Sequence, residues 1–148
     1  DPMGVFQHHE LFSDLSPATI VDLLAVAGAG SGSPLTMVEV RQLGGALERN
    51  PERLNPLGSG KARYSLNAIG ATLTPEMVQP VKAHLTRLAE ATRPYQTSET
   101  FVNFMEVNPA EGRVRASYPV EDWKRLVALK DKYDPQNLFR FNRNISPT

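Results

Sequence analysis

The stretch Arg63-Tyr64-Ser65-Leu66-Asn67-Ala68-Ile69 decides the fold. Tyr64, Leu66 and Ala68 fall on one side of an extended chain, and Arg63, Ser65 and Asn67 on the other. Successive side chains of a strand point to opposite faces, so the alternation reads as a strand with one apolar and one polar face. Residues 36–43 repeat the pattern, with Val38 and Val40 opposed to Glu39 and Arg41, and Gly44-Gly45 ends the run. Two such strands describe a sheet with one face to be covered and a second, more polar face.

Flanking segments supply the cover. Ser16-Pro17 has the form of an N-cap followed by proline at the first helical position. Ile20, Leu23, Leu24 and Ala27 recur at helical spacing over 17–27, and Gly28-Ala29-Gly30-Ser31-Gly32-Ser33-Pro34 is a stop and a connection. Thr74-Pro75 opens a second helix, whose stripe is Met77, Val81, Leu85, Leu88 and Thr92 and whose end is Arg93-Pro94. Pro80 removes a backbone donor inside it and is expected to kink the first turns. Residues 48–60 read as a loop, 100–107 as a third strand, 108–112 as a turn and 113–117 as a short segment of undecided type. A last helix is expected over 120–132, with Trp123, Leu126, Val127, Lys130 and Tyr133 along one side and a stop at Asp134-Pro135. In the tail, Leu138, Phe139, Phe141 and Ile145 are apolar enough to dock. The order helix, strand, strand, helix, strand, helix lacks a strict βαβ alternation. The expected class is α+β, a largely antiparallel sheet with helices packed on one face, with 1–148 as a single domain.

Composition narrows the function. The 148 residues carry 16 Lys+Arg against 16 Asp+Glu, a balance that disfavours a nucleic-acid binder tracking phosphates with a basic face. No apolar run approaches the roughly 20 residues of a membrane helix. With no Cys, disulfides, Cys-based zinc sites and thiol nucleophiles are excluded within this chain. That composition is consistent with a reducing, cytoplasmic setting, with secretion of a longer parent left open. The chain starts at Asp1-Pro2 without Met, which reads as a processed product or a piece of a larger protein.

Several motifs fail on inspection. Gly58-Ser59-Gly60-Lys61 lacks the earlier Gly and the following Ser or Thr of a phosphate loop, since Asn55 and Ala62 stand there. The run Gly28-Ala29-Gly30-Ser31-Gly32 follows a helix rather than a strand, so it aims no helix N-terminus at a pyrophosphate. His8 and His9 are adjacent and do not converge on one metal; near a terminus they read as solvated. His84 reads as a surface or boundary histidine, and no Ser-His-Asp set stands out. Glu39, Arg41, Arg63, Ser65 and Asn67 line either an ordinary solvated sheet face or a ligand-facing wall on rigid strands; the pattern leaves both open.

The C-terminal run is more specific: Trp123-Lys124-Arg125-Leu126, then Leu129-Lys130, Tyr133-Asp134-Pro135, Asn137, Phe139 and Asn142-Arg143-Asn144-Ile145. It resembles the terminal segment of FAD-linked oxidases of the berberine-bridge-enzyme type, within the vanillyl-alcohol-oxidase flavoprotein superfamily. Upstream, Val38-Glu39-Val40-Arg41-Gln42-Leu43-Gly44-Gly45-Ala46 resembles the family's strand ending in Gly-Gly. Phe101-Val102-Asn103-Phe104 resembles its aromatic-x-Asn-aromatic strand. The resemblance is weak before residue 34.

The resemblance implies the C-terminal, substrate-domain portion of a flavoenzyme, with FAD held mostly by an N-terminal flavin domain outside this chain. Residues 134–148 are then the terminal segment returning towards that domain. The implied reaction passes a hydride from an alcohol, amine or sugar-like substrate to flavin, and the isolated chain is expected to be inactive. Candidate substrate-binding residues are Glu39, Arg41 and Asn67 on the strands, Asn103 in the Phe-flanked motif, and Tyr118; Asn142 and Asn144 are the cofactor-binding candidates. Phe101 and Phe104 stand where many relatives show Tyr, so no phenolic acid/base is expected there. Expected partners are the flavin domain and a small-molecule substrate, without nucleic acid or membrane, and a homodimer through an uncovered apolar face is a further expectation. The alternative is a stand-alone, non-enzymatic α+β binding module derived from that fold.

Overall fold

The computed structural model describes residues 4–45, 62–105 and 111–148. The loop expected at 48–60, the Gly58–Lys61 motif and most of the turn at 108–112 lie outside the described residues. The chain divides into two compact units, one of residues 1–43 and 61–97 and one of residues 44–60 and 98–148.

The first unit is the sheet and its helices. Strands β1 (Gly4–Phe12), β2 (Met37–Gln42) and β3 (Tyr64–Thr72) form an antiparallel sheet in the order β1-β3-β2. The alternation in β3 works as expected: Leu66 and Ala68 join Phe12 with Val26, Val81, Leu85 and Leu88 in one buried cluster. Those last four come from helices α1 (Pro17–Ala27) and α2 (Val78–Thr92), so the helices cover one face and the class is α+β. Burial of a side chain such as Leu66 or Leu88 is worth roughly 1.5–3 kcal/mol, and this cluster holds the unit together. At Gly70 the backbone lies so close to α2 that an added Cβ would run into the side chain of Val81.

Helix α1 starts as its cap predicts: Thr19 N–H donates to Ser16 Oγ at 3.2 Å, with Pro17 in the first turn. The second helix differs from expectation. A short 3₁₀ turn, Pro75–Met77, precedes α2, so Pro80 is the third residue of the α-helix. Backbone N–H groups there have no intrahelical acceptor, and the missing donor costs little. Val81, Leu85, Leu88 and Thr92 of the expected stripe are buried.

Strand β1 has no counterpart in the expected order, and His8 and His9 are not solvated. The alternation of β1 was masked because His8 and Glu10 share the helix-covered side with Phe6 and Phe12. Those two polar residues meet each other at the sheet edge, His8 Nε2 to Glu10 Oε1 at 3.1 Å. His9 points to the opposite side and is buried.

The second unit is organised around Met105, Val114 and Trp123, with Tyr118, Val127 and Ile145 packed against them. Helix α3 (Glu111–Arg115) supplies Val114, and helix α4 (Val120–Tyr133) supplies Trp123 and Val127. The strand expected from residue 100 is not one over its described residues: Val102–Phe104 is a 3₁₀ turn closed by Phe104 N–H on the Phe101 carbonyl at 3.1 Å. The turn brings the Phe101 and Phe104 rings to 6.5 Å between centroids. Aromatic and β-branched residues favour strands only where a neighbouring strand packs them, and this local ring contact replaces that packing.

The expected side of α4 holds for Trp123, which is buried, and not for Tyr133, which is exposed. In the tail Ile145 docks, whereas Leu138, Phe139 and Phe141 stay exposed, Phe139 at 82%. Polar contacts set the tail's course instead. Asp134 Oδ1 accepts from Leu138 N–H at 2.7 Å and its Oδ2 from Phe139 N–H at 3.1 Å. Lys130 Nζ donates to Asp134 Oδ2 at 2.5 Å and to the Phe139 carbonyl at 2.9 Å. Among the described residues, no helix is long and apolar enough to cross a membrane.

Candidate functional site

Pairing register builds a largely polar cluster on the side of the sheet opposite the helices. His9, Asn67 and Glu39 are direct cross-strand partners, and Leu11, Ser65 and Arg41 form the adjacent row. Because opposed residues in a sheet share a face, these side chains form one surface. His9, Ser65 and Asn67 are buried, at 1%, 7% and 9% exposure. His9 Nε2 lies 3.0 Å from Ser65 Oγ. Asn67 Oδ1 is buried and has no hydrogen-bond partner among the described residues. A buried amide oxygen without a donor costs about 1–3 kcal/mol, so this atom is a site looking for a donor.

Glu39 and Arg41 neutralise each other at the rim. Arg41 Nη2 donates to both Glu39 carboxylate oxygens, at 2.8 and 3.0 Å. Two residues apart on one strand, they share a face by the strand's period of two. The pair is largely solvent-exposed, so its effect on stability is small.

The other candidates lie in the second unit. Asn103 is exposed within the 3₁₀ turn Val102–Phe104. The Tyr118 ring rests against Trp123, 5.9 Å between centroids, and burial pushes its phenol up from the ordinary tyrosine value. Tyr118 therefore stays protonated at neutral pH and is a hydrogen-bond donor rather than a base. Asn142 is exposed with a left-handed backbone, φ 62°, and Asn144 is half-buried. Asn137, also left-handed at φ 52°, follows the Asp134 turn. The structure thus brings Glu39, Arg41 and Asn67 onto one surface, with Asn103, Tyr118, Asn142 and Asn144 all in the second unit.

Sequence reasoning passed over His9. Its signal was the alternation of β1, in which Val5, Gln7, His9 and Leu11 share a side. Its position opposite Asn67 comes only from register. His84 is a boundary residue as expected, with Nε2 2.9 Å from the Val26 carbonyl at the end of α1.

Comparison with known proteins bears on this geometry. Residues 100–146 match the family described as berberine and berberine like. Berberine bridge enzyme-like 17 of Arabidopsis thaliana is 37% identical over an alignment covering 36% of this chain and 13% of that protein. Berberine bridge enzyme from Eschscholzia californica is similar in structure with a TM-score of 0.81 at 18% identity, covering 100% of this chain and 34% of that one. The wild-type BBE-like 1 of Physcomitrella patens gives a TM-score of 0.78 at 19% identity, covering 98% of this chain and 30% of that one. The chain therefore spans about a third of the length of the solved structures it matches.

Proposed function

We propose that this chain belongs with the berberine-bridge-enzyme-like proteins, FAD-linked oxidoreductases as a family, and that it forms the substrate-side wall of such an enzyme. The reaction is hydride removal from an alcohol, amine or sugar-like substrate. The observation that carries this reading is Asn67: a buried amide oxygen on the side of the sheet opposite the helices, without a partner among the described residues. A substrate O–H or N–H donates to it. An amide is no general base, so Asn67 binds and orients rather than taking the proton.

FAD contributes the acceptance of the hydride; the protein contributes binding, orientation and exclusion of water. Asn142 and Asn144 suit the cofactor's polar edges, because an amide both donates and accepts. Asn142 is exposed, and its neighbour Arg143 is fixed by donating from Nη2 to the Met105 carbonyl. The exposed Leu138, Phe139 and Phe141 are apolar surface held on an ordered backbone, and their occupant is the flavin domain of the longer protein.

The test compares this chain with the full-length protein. The full-length protein should purify with visible flavin absorbance and be reduced anaerobically by a member of a panel of alcohols, amines and sugars. The chain alone should be colourless. Asn67→Ala should cost the full-length enzyme roughly tenfold in kcat/KM, the loss of one hydrogen bond. A full-length protein that neither holds flavin nor is reduced by any panel member would sink the reading.

A further inference from the structure

The mechanism above leaves the substrate's proton without an acceptor. Asn67 is uncharged, Phe101 and Phe104 carry no phenol, and the Glu39 carboxylate is occupied by Arg41. Beside Asn67, however, a titratable base is already hydrogen-bonded to a hydroxyl. His9 and Ser65 are 56 positions apart in the chain, and strand pairing sets His9 Nε2 3.0 Å from Ser65 Oγ.

We propose that Ser65 and His9 form the proton-accepting relay of this site, with Ser65 meeting the substrate and His9 receiving the proton behind it. The inference rests on the oxidoreductase reading proposed above. Three observations support it. The first is the 3.0 Å contact, within the range for a hydroxyl donating to an imidazole nitrogen. The second is burial: His9 is 1% exposed, Ser65 7% and Asn67 9%, so the pair and its neighbour are shielded from bulk water. The third is chemistry: a hydroxyl relays a proton without net change, and imidazole is the side chain suited to holding one near neutral pH.

With the His9 proton on Nδ1, Ser65 Oγ–H donates to Nε2. As a hydride leaves the substrate carbon for oxidised flavin with two electrons, the substrate's O–H or N–H proton passes to Ser65 Oγ. The original Ser65 proton passes to His9 Nε2. The products are a C=O or C=N bond, reduced flavin and an imidazolium, with Ser65 restored. Asn67 meanwhile fixes the substrate by accepting from a second donor of the substrate, or from the same group before transfer.

The experiment uses the full-length flavin-loaded protein and the panel member that reduces it fastest. His9→Gln keeps a hydrogen-bonding side chain for Ser65 but removes the proton acceptor. Ser65→Ala breaks the relay at its other end. Each should lower kcat for flavin reduction by about 100-fold or more, with KM within about threefold of the parent. The double variant should be no worse than either single one. Nitrogen NMR of histidine-labelled protein supplies a readout independent of turnover. The His9 Nε2 resonance should report a hydrogen-bonded nitrogen and move in Ser65→Ala. If His9→Gln oxidises the substrate with kcat within about threefold of the parent, the relay is overturned while the oxidoreductase reading stands. If the Nε2 resonance is unmoved by Ser65→Ala, the relay is likewise overturned. If no panel member reduces the flavin of the parent protein, it is the underlying reading that fails.

Discussion

In the first unit, Phe12, Val26, Leu66, Ala68, Val81, Leu85 and Leu88 make one continuous apolar cluster across sheet and helices. In the second, the buried apolar cluster is Met105, Val114 and Trp123, and side chain-to-backbone bonds do much of the ordering. Asp134 holds the amides of Leu138 and Phe139, Asp131 holds the Thr148 amide at 2.8 Å, and Arg143 holds the Met105 carbonyl. Apolar packing follows from periodic patterns and resists local change. Polar anchoring depends on single residues, and each anchor orders only the few residues it bonds. The two units teach where stability and where site geometry are vulnerable.

The largest effect should come from the first cluster. Leu66→Ala should lower unfolding free energy by about 2–5 kcal/mol, read from the urea midpoint, because it opens a cavity under both helices. A loss below about 1 kcal/mol would show that the cluster is not continuous. Gly70→Ala should cost about 1–3 kcal/mol, since its Cβ meets a branched Val81 side chain that has little room to yield. Ser16→Ala should cost about 1 kcal/mol by removing the cap on the Thr19 amide.

The smallest global change and the sharpest local one are expected at Asp134. Lys130 donating to its carboxylate, aided by the Leu138 and Phe139 amides, holds Asp134 below the usual carboxylate range against the opposing effect of burial. Because the folded value is the lower one, its contribution is complete above the unfolded carboxylate value and is lost as pH falls through the folded one. Protection of the Leu138 and Phe139 amides, their exchange relative to the intrinsic rate at each pH, should therefore fall on acidification below the ordinary carboxylate range. In Asp134→Asn that protection should already be low at neutral pH and should not change further with acid. If Asp134→Asn instead loosened the amides of β3 as much as Leu66→Ala does, the contrast between the units would be broken.

A comparable polar contact within the first unit refines the contrast. Tyr95 O–H donates to Asp22 Oδ2 at 2.6 Å, and that bond raises the tyrosine above its ordinary value. A raised folded value stabilises below the unfolded one and is lost as pH rises through the folded one. Tyr95→Phe should remove that alkaline sensitivity while leaving the first cluster's cooperative unfolding unchanged.

Much of the first unit was legible because its elements bury one face at a regular period. The cap at Ser16, the stripe on α2 and the alternation of β3 each follow from residue type and spacing. Strand β1 was not legible, because His8 and Glu10 put polar side chains at positions where the period calls for apolar ones. Their mutual contact at the sheet edge makes that tolerable, and no local pattern announces it. In the second unit, Phe101 and Phe104 looked like strand residues and instead close a turn on each other. The tail's aromatic residues looked like core and stay outside, because Lys130 and Asp134 direct the backbone.

The candidate site divides the same way. Asn67, Glu39 and Arg41 were assigned to a polar face by alternation alone, since a strand's side chains have a period of two wherever it pairs. By itself the sequence determined the class of the fold, the start of α1, the covered face of the sheet and the family resemblance. Only the tertiary structure decided that His9 stands opposite Asn67 and reaches Ser65, and that Asn67 Oδ1 is buried without a partner among the described residues. Local propensities act within a few residues, whereas register joins residues 56 apart, and no short-range rule carries that distance.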